Sequence, residues 1–276
     1  MYVVSSRNQG IVLELMSLSR LLALTIPNAF AKAKFYASEF ERLGIARETA
    51  RRWGQTRKKL CAFGICHAKS FPDQALRDIR SIVDLGSNSG QWIGGMLELC
   101  NPNAVILVEP DPRMHASLEK IAHDHKNITL LRMAAGERDG ILEFNMTSDP
   151  LAAASSALKP IEEMNRYYGF GFDVMKTVSV PVKPLDEITA HLDEVSFLKI
   201  DVQGYEMQVL AGAVQTLEKA KLVHMEVCFY HHYEGDTLFP ELHERMSEAG
   251  FVLANMSEPM VVGGRAMWAD ATYRHI

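Results

Sequence analysis

The chain has 276 residues, 47% of them hydrophobic and 23% charged, a balance that supports a packed core and excludes disordered or fibrous chains. Its net charge of −5 is unevenly placed: residues 1–80 carry 14 Lys+Arg against 6 Asp+Glu, and the remainder carry 15 against 28. The four cysteines, Cys61, Cys66, Cys100 and Cys228, form no C-x-x-C pair, which argues against a zinc or disulfide framework and for a reducing, cytoplasmic setting.

In chain order, residues 1–75 read as a basic N-terminal helical cap and 76–276 as the main domain. Ile11, Leu15, Leu18 and Leu22 recur at helical spacing, while Glu14 and Arg20 interrupt the run too soon for a membrane span or signal peptide. Pro27 breaks this helix; further helices are expected over 29–43 and 46–60, with a hinge at Phe71, Pro72 and Asp73. Such helices suit docking onto the acidic body or pairing of two copies as a homo-oligomer. From Ser81 onward short apolar runs alternate with helical stretches, the pattern of a doubly wound, mostly parallel α/β sheet. Strands are expected at 82–85, 104–109, 128–133, 141–146, 177–182, 197–202 and 222–229, helices at 91–99, 113–123, 204–217 and 238–249, and a closing hairpin from 251–255 and 266–273.

The stretch Val83-Asp84-Leu85-Gly86-Ser87-Asn88-Ser89-Gly90 runs from a buried strand through a glycine turn into a helix. Gly86 and Gly90 admit close backbone approach to a ligand, and the helix start offers N–H donors. A dinucleotide needs G-x-G-x-x-G for its pyrophosphate; the middle glycine is absent here. S-Adenosylmethionine has no phosphate and a positive sulfonium, so a carboxylate such as Asp84 suits it better. Glu109 closes the second strand, the station at which an acidic side chain accepts ribose hydroxyls. In Leu198-Lys199-Ile200-Asp201-Val202-Gln203-Gly204-Tyr205-Glu206, Lys199 and Asp201 alternate with apolar residues onto one face of a buried strand. Asp201 is expected at the strand end beside the glycine turn, as cofactor anchor, acceptor-orienting group or cation ligand.

These pieces, with VEPDP at 108–112, AAGERDG at 134–140, Ser155-Ser156-Ala157-Leu158, PLDEI at 184–188 and HMEV at 224–227, resemble the FkbM-type methyltransferase family from Val83 to Phe251. The resemblance implies a class I, Rossmann-like methyltransferase fold and O-methylation of a sugar, glycan or natural-product hydroxyl by S-adenosylmethionine. It implies cofactor contacts from Asp84, Gly86, Ser87, Asn88, Gly90, Glu109, Pro110, Ala134, Ala135 and Asp201. Gln203 departs from the family's D-V-E-G pattern, keeping an acceptor but losing a charge.

Removing the acceptor's proton calls for a base, and Asp201, His224, Glu226, His231 and His232 are the candidates. His224 and Glu226 lie two apart on one strand and so share a face, and His231, His232 and Glu234 follow in the next loop. This cluster of three histidines with a glutamate could, with Asp201, also ligate a divalent metal, although no spacing demands one. The stretch 149–172 is long enough for a lid or substrate wall. The competing readings are an NAD-type oxidoreductase, which lacks its glycine, and an RNA methyltransferase using the basic head, for which no aromatic–basic motif is present; nucleic acid is therefore not an expected partner.

Overall fold

In the computed structural model, residues 78–149, 151–169 and 171–276 are described. The expected cap over residues 1–75 lies outside them. Ser81–Leu85 (β1) is buried at every position, and so is Val195–Ile200 (β7). Strands covered on both faces read as continuous apolar runs, which is why these two are the central pair.

The main sheet is built outward from β1. On one side lie Ala104–Val108 (β2) and Ile128–Leu131 (β3), on the other β7 and Ala220–Cys228 (β8), all parallel. Arg265–His275 (β11) pairs antiparallel with β8. The outer edge of β11 is shared by Phe251–Met256 (β9) and Met260–Val262 (β10). The strand order 10-11-8-7-1-2-3 is the doubly wound, mostly parallel arrangement of a class I methyltransferase. Gln91–Leu99 (α1) and His115–Asp124 (α2) cross over between the first three strands. Ile82, Phe197 and Leu107 pack with Trp92, Ile93, Met96 and Leu118 on one face. Val83, Leu198, Met225 and Tyr273 pack with Val209, Leu210, Leu242 and Met246 on the other. Among the described residues no helix is long and apolar enough to cross a membrane.

A second, three-stranded sheet joins Ala134–Gly136 (β4), Val174–Pro184 (β6) and Gly140–Thr147 (β5). Between its strands stands the short helix Met164–Tyr168 (α3), and after them comes Leu185–Ile188 (α4). The helix expected over 204–217 is two helices, Glu206–Ala211 (α5) and Val214–Glu218 (α6). The break follows from packing: a Cβ on Gly212 would stand 2.1 Å from the Gly136 carbonyl oxygen. The helix expected at 238–249 is Phe239–Glu248 (α7). The expected closing hairpin forms between β9 and β11, with β10 as an additional strand paired through the Gly263–Gly264 turn.

Candidate active site

β1 is paired in parallel on both sides, to β2 and to β7, so the sheet order reverses at its carboxyl end. Ligands of open α/β sheets bind in the crevice at that point. The turn 86–90, Glu109 after β2, Asp201 after β7 and Glu226 near the end of β8 all gather there.

The turn is shaped by the protein's own packing. Gly86 has φ +69°, and a Cβ there would fall 1.8 Å from the Asp201 carbonyl oxygen. Gly90 has φ +83°, and its Cβ would meet Ile121 Cδ1 at 2.3 Å. Both glycines thus serve strand–strand and helix packing, where the sequence alone suggested approach to a ligand. The N–H groups of the turn that precedes the helix start at Gln91 are also engaged. The five backbone N–H groups from Gly86 to Gly90 donate internally: Gly86 and Ser87 to Val108 O (3.0 and 3.2 Å), Asn88 to Glu109 Oε2 (2.7 Å), Ser89 to Asn88 Oδ1 (2.6 Å) and Gly90 to Ser87 O (2.9 Å). Ser87 Oγ donates to Asp84 O at 2.8 Å.

Glu109 is buried, and its other oxygen accepts the Asp111 N–H at 2.7 Å. Burial pushes its carboxyl up to about 7, against the pull of those two N–H bonds. Each oxygen keeps a second lone pair for a ligand hydroxyl. Asp111 holds Arg113 in a fork (Nη2–Oδ2 2.6 Å), and Arg113 reaches on to Thr147 O and Ser155 Oγ. Pro110 is half-buried beside this turn; Ala134 and Ala135 are buried on β4.

Asp84 is fully buried, with Lys199 Nζ 3.2 Å from Oδ1. Lys199 is its cationic partner, and among the described residues neither carboxylate oxygen has a further well-aligned hydrogen-bond donor. Lys199 also donates to Gly86 O (2.8 Å) and stands 3.5 Å from Asp201 Oδ2. Burial opposes the lysine's charge, but the two carboxylates outweigh it and hold its pKa above the ordinary value. Burial likewise pushes Asp84 up while Lys199 opposes that shift; a lysine kept protonated at this contact keeps its partner ionised. The Lys199–Asp201 contact is therefore the longer arm of a triad centred on Lys199, with Asp84 buried and Asp201 partly exposed.

Asp201 follows β7 with its side chain 38% exposed. Gln203 Nε2 donates to Asp201 Oδ1 (2.7 Å) and to Glu226 Oε1 (3.1 Å), so Asp201 and Glu226 meet through it. Glu206 is buried and accepts the N–H groups of Val202 and Gly204, which shapes this turn; burial pushes it up to about 7. The histidines are placed differently. His224 lies in register with Lys199 and Thr272, buried, with Nδ1 3.0 Å from Thr272 Oγ1. His231 is 56% exposed and paired with Asp236. Asp236 also accepts the N–H groups of His232 and Tyr233, so His231 belongs to a loop clamp.

Over the two carboxylates stands a wall that sequence reasoning only outlined. Tyr168 OH bonds His232 Nε2 (2.7 Å), and Phe172 packs between Tyr168 and Tyr233 (centroids 5.3 and 6.4 Å). Burial raises the Tyr168 and Tyr233 hydroxyls far above the usual phenol range, with Glu226 contributing. Residues 151–158 are tied across the cleft: Asn88 Nδ2 donates to Leu151 O (2.9 Å) and Ser156 Oγ to Gln203 O (2.6 Å). The one chain-local signal for this was Ser155-Ser156. Cys228, His232 and Asp236 come within 4.8 Å of one another, but the His232 ring nitrogens face Tyr168 and Tyr230 O, and Asp236 holds His231.

The family described as Methyltransferase FkbM domain matches residues 84–253. The chain is 28% identical over 161 residues to the 2-O-methyltransferase NoeI of Sinorhizobium fredii, an alignment covering 56% of this chain and 65% of that protein. It thus spans just under two thirds of that relative. The structure of Methyltransferase FkbM from Methylobacillus flagellatus KT is 16% identical, with TM-score 0.47 over 85% of this chain and 59% of the other. Aeropyrum pernix fibrillarin, solved with natively bound S-adenosyl-L-methionine, is 14% identical, with TM-score 0.43 over 76% of this chain and 73% of the other.

Proposed function

Because the chain belongs to the FkbM methyltransferase family, we propose that it transfers a methyl group from S-adenosylmethionine to a hydroxyl oxygen of a sugar, glycan or natural-product acceptor. The observation that carries the choice of donor is the occupied turn. With the N–H groups of residues 86–90 engaged internally, the turn itself offers a pyrophosphate no donor, whereas the carboxylates of Asp84, Glu109, Asp201 and Glu226 suit a cation. An oxygen acceptor is supported by the similarity to NoeI, a 2-O-methyltransferase.

When bound, S-adenosylmethionine supplies a methyl group already activated on a sulfonium. In this reading Glu109 holds the ribose hydroxyls, and Pro110, Ala134 and Ala135 line the cofactor. Asp201 and Glu226 orient the acceptor hydroxyl, and one of the two takes its proton as the O–C bond forms. His224, held beneath Lys199 at Thr272, and His231, clamped to Asp236, are assigned supporting roles. Tyr168 and Phe172 offer ring faces to the acceptor and exclude water, backed by the buried Tyr233; orientation of this kind supplies up to ~7–11 kcal/mol in well-aligned systems. Residues 1–75 are assigned to covering the cleft or joining two copies. No divalent metal is assigned a step.

Calorimetry with S-adenosylmethionine, its demethylated product and NAD tests the donor. Dissociation constants in the micromolar range, about −8 kcal/mol, are expected for the first two and no binding for NAD. Transfer of labelled methyl to a panel of sugars and hydroxylated natural products tests the acceptor. Tight NAD binding, or transfer to RNA and to no hydroxylated small molecule, overturns the proposal.

A further inference from the structure

Gln203 stands where the family pattern has glutamate, and the chemistry above leaves it unassigned. Its backbone is left-handed, φ +58°, a conformation costly for a residue with a Cβ and kept only where surroundings fix it. Four contacts fix it here. Ser156 Oγ donates to its carbonyl (2.6 Å), and the Tyr233 hydroxyl lies 3.0 Å from Oε1. Nε2 donates to Asp201 Oδ1 (2.7 Å) and Glu226 Oε1 (3.1 Å). The orientation of the amide follows from chemistry: ionised carboxylates only accept, so the NH₂ must face them, and the oxygen then faces the phenol.

Two carboxylates brought to one point repel unless something positive stands between them. A shared proton, a bound cation or an N–H donor can each do this. Here both amide hydrogens occupy the position between Asp201 Oδ1 and Glu226 Oε1, while the Lys199 ammonium stands at the other Asp201 oxygen, 3.5 Å from Oδ2, and does not bridge the pair. We propose that Gln203 is a positioning residue that bridges Asp201 and Glu226, so that the acceptor end of the cleft is held together without a divalent cation. What the pair acts on rests on the hydroxyl-methylation reading; the bridge itself does not. A glutamate at 203 would bring a third carboxylate to the same point and remove the two donors. Three converging carboxylates would then hold a proton to higher pH or recruit a hard cation, for which oxygen ligands are suited.

The test uses the full chain as wild type, Q203E and Q203L. Manganese titrated calorimetrically is expected to bind Q203E at least about tenfold more tightly than wild type, equivalent to ~1.4 kcal/mol. Wild-type methyl transfer should be insensitive to chelator, whereas Q203E transfer should fall with chelator and recover with Mn²⁺. The pH–rate limb of Q203E should move to higher pH, a change that a merely structural role would not produce, and Q203L should lose kcat more than cofactor affinity. Equal Mn²⁺ affinity in Q203E and wild type overturns the proposal, as does wild-type turnover that chelator abolishes and Mg²⁺ restores. If Q203E does not fold, the wild-type chelator result and the kcat split of Q203L decide. The Mn²⁺ comparison needs no acceptor: an enzyme that methylates nothing would defeat the functional reading and leave the bridge judged on its own.

Discussion

Replacing Glu109 by glutamine separates its role in the fold from its role in binding, because the two respond to pH in opposite directions. Burial lifts the folded-state carboxyl to about 7, above its ordinary 4.5. Between those values the folded chain holds a proton that the unfolded chain has lost. Stability from this group is therefore complete below about pH 4.5 and is lost as pH rises through 7. The difference corresponds to about 3 kcal/mol. Glu206 titrates in the same window and direction, so the comparison must be made against wild type and not in absolute terms. In urea unfolding at pH 4.5 and pH 8, Glu109→Gln is expected to lose about 3 kcal/mol less than wild type. Binding runs the other way. If ribose hydroxyls donate to the ionised form, affinity follows the ionised fraction and rises about tenfold from pH 6 to pH 8. Glu109→Gln should show a flat profile, weaker at pH 8 by about 1.5–3 kcal/mol for a lost charge-assisted bond. Calorimetry with the demethylated cofactor at pH 6, 7 and 8 reads this directly. The same slope in both proteins, or wild-type affinity that falls as pH rises, would refute the assignment.

Lys199→Met leaves Asp84 buried without its cation and should destabilise the chain by about 3–5 kcal/mol in urea unfolding, with Asp84→Asn in the same chain recovering part of the loss. Gly86→Ala places a methyl against the Asp201 carbonyl at φ +69°, and a drop of at least ~2 kcal/mol in unfolding free energy is expected, with cofactor affinity falling as well; an unchanged melting temperature would contradict the packing described. Tyr168→Phe leaves the buried His232 Nε2 without its hydroxyl partner, at about 1–2 kcal/mol in stability, and should raise the acceptor KM while leaving cofactor affinity unchanged.

The amino-acid sequence by itself determined the α/β order, the strand–turn–helix at 83–90 and the carboxylates at strand ends. Those features are local: period, apolar runs and glycine spacing within a few residues. It placed Glu109 and Asp201 at the carboxyl ends of the expected strands 104–109 and 197–202, because a buried parallel strand must end where its apolar run ends; in the structure they follow β2 and β7 directly. It did not reveal that Gly86 accommodates the Asp201 carbonyl, since those residues lie far apart in the chain and meet only when β1 and β7 pair. The same pairing turned Lys199 toward Asp84, and the docking of β4 against Gly212 split the helix expected at 204–217. The three-residue strand β4 is too short to show a period, and α3 gains its place through Tyr168 and His232, 64 positions apart. Which of the five candidate bases stand together only tertiary structure could decide. Asp, Glu and His side chains can all take a proton, but burial, register and partners set Asp201 and Glu226 on either side of Gln203 while tying His224 to Thr272, His231 to Asp236 and His232 to Tyr168.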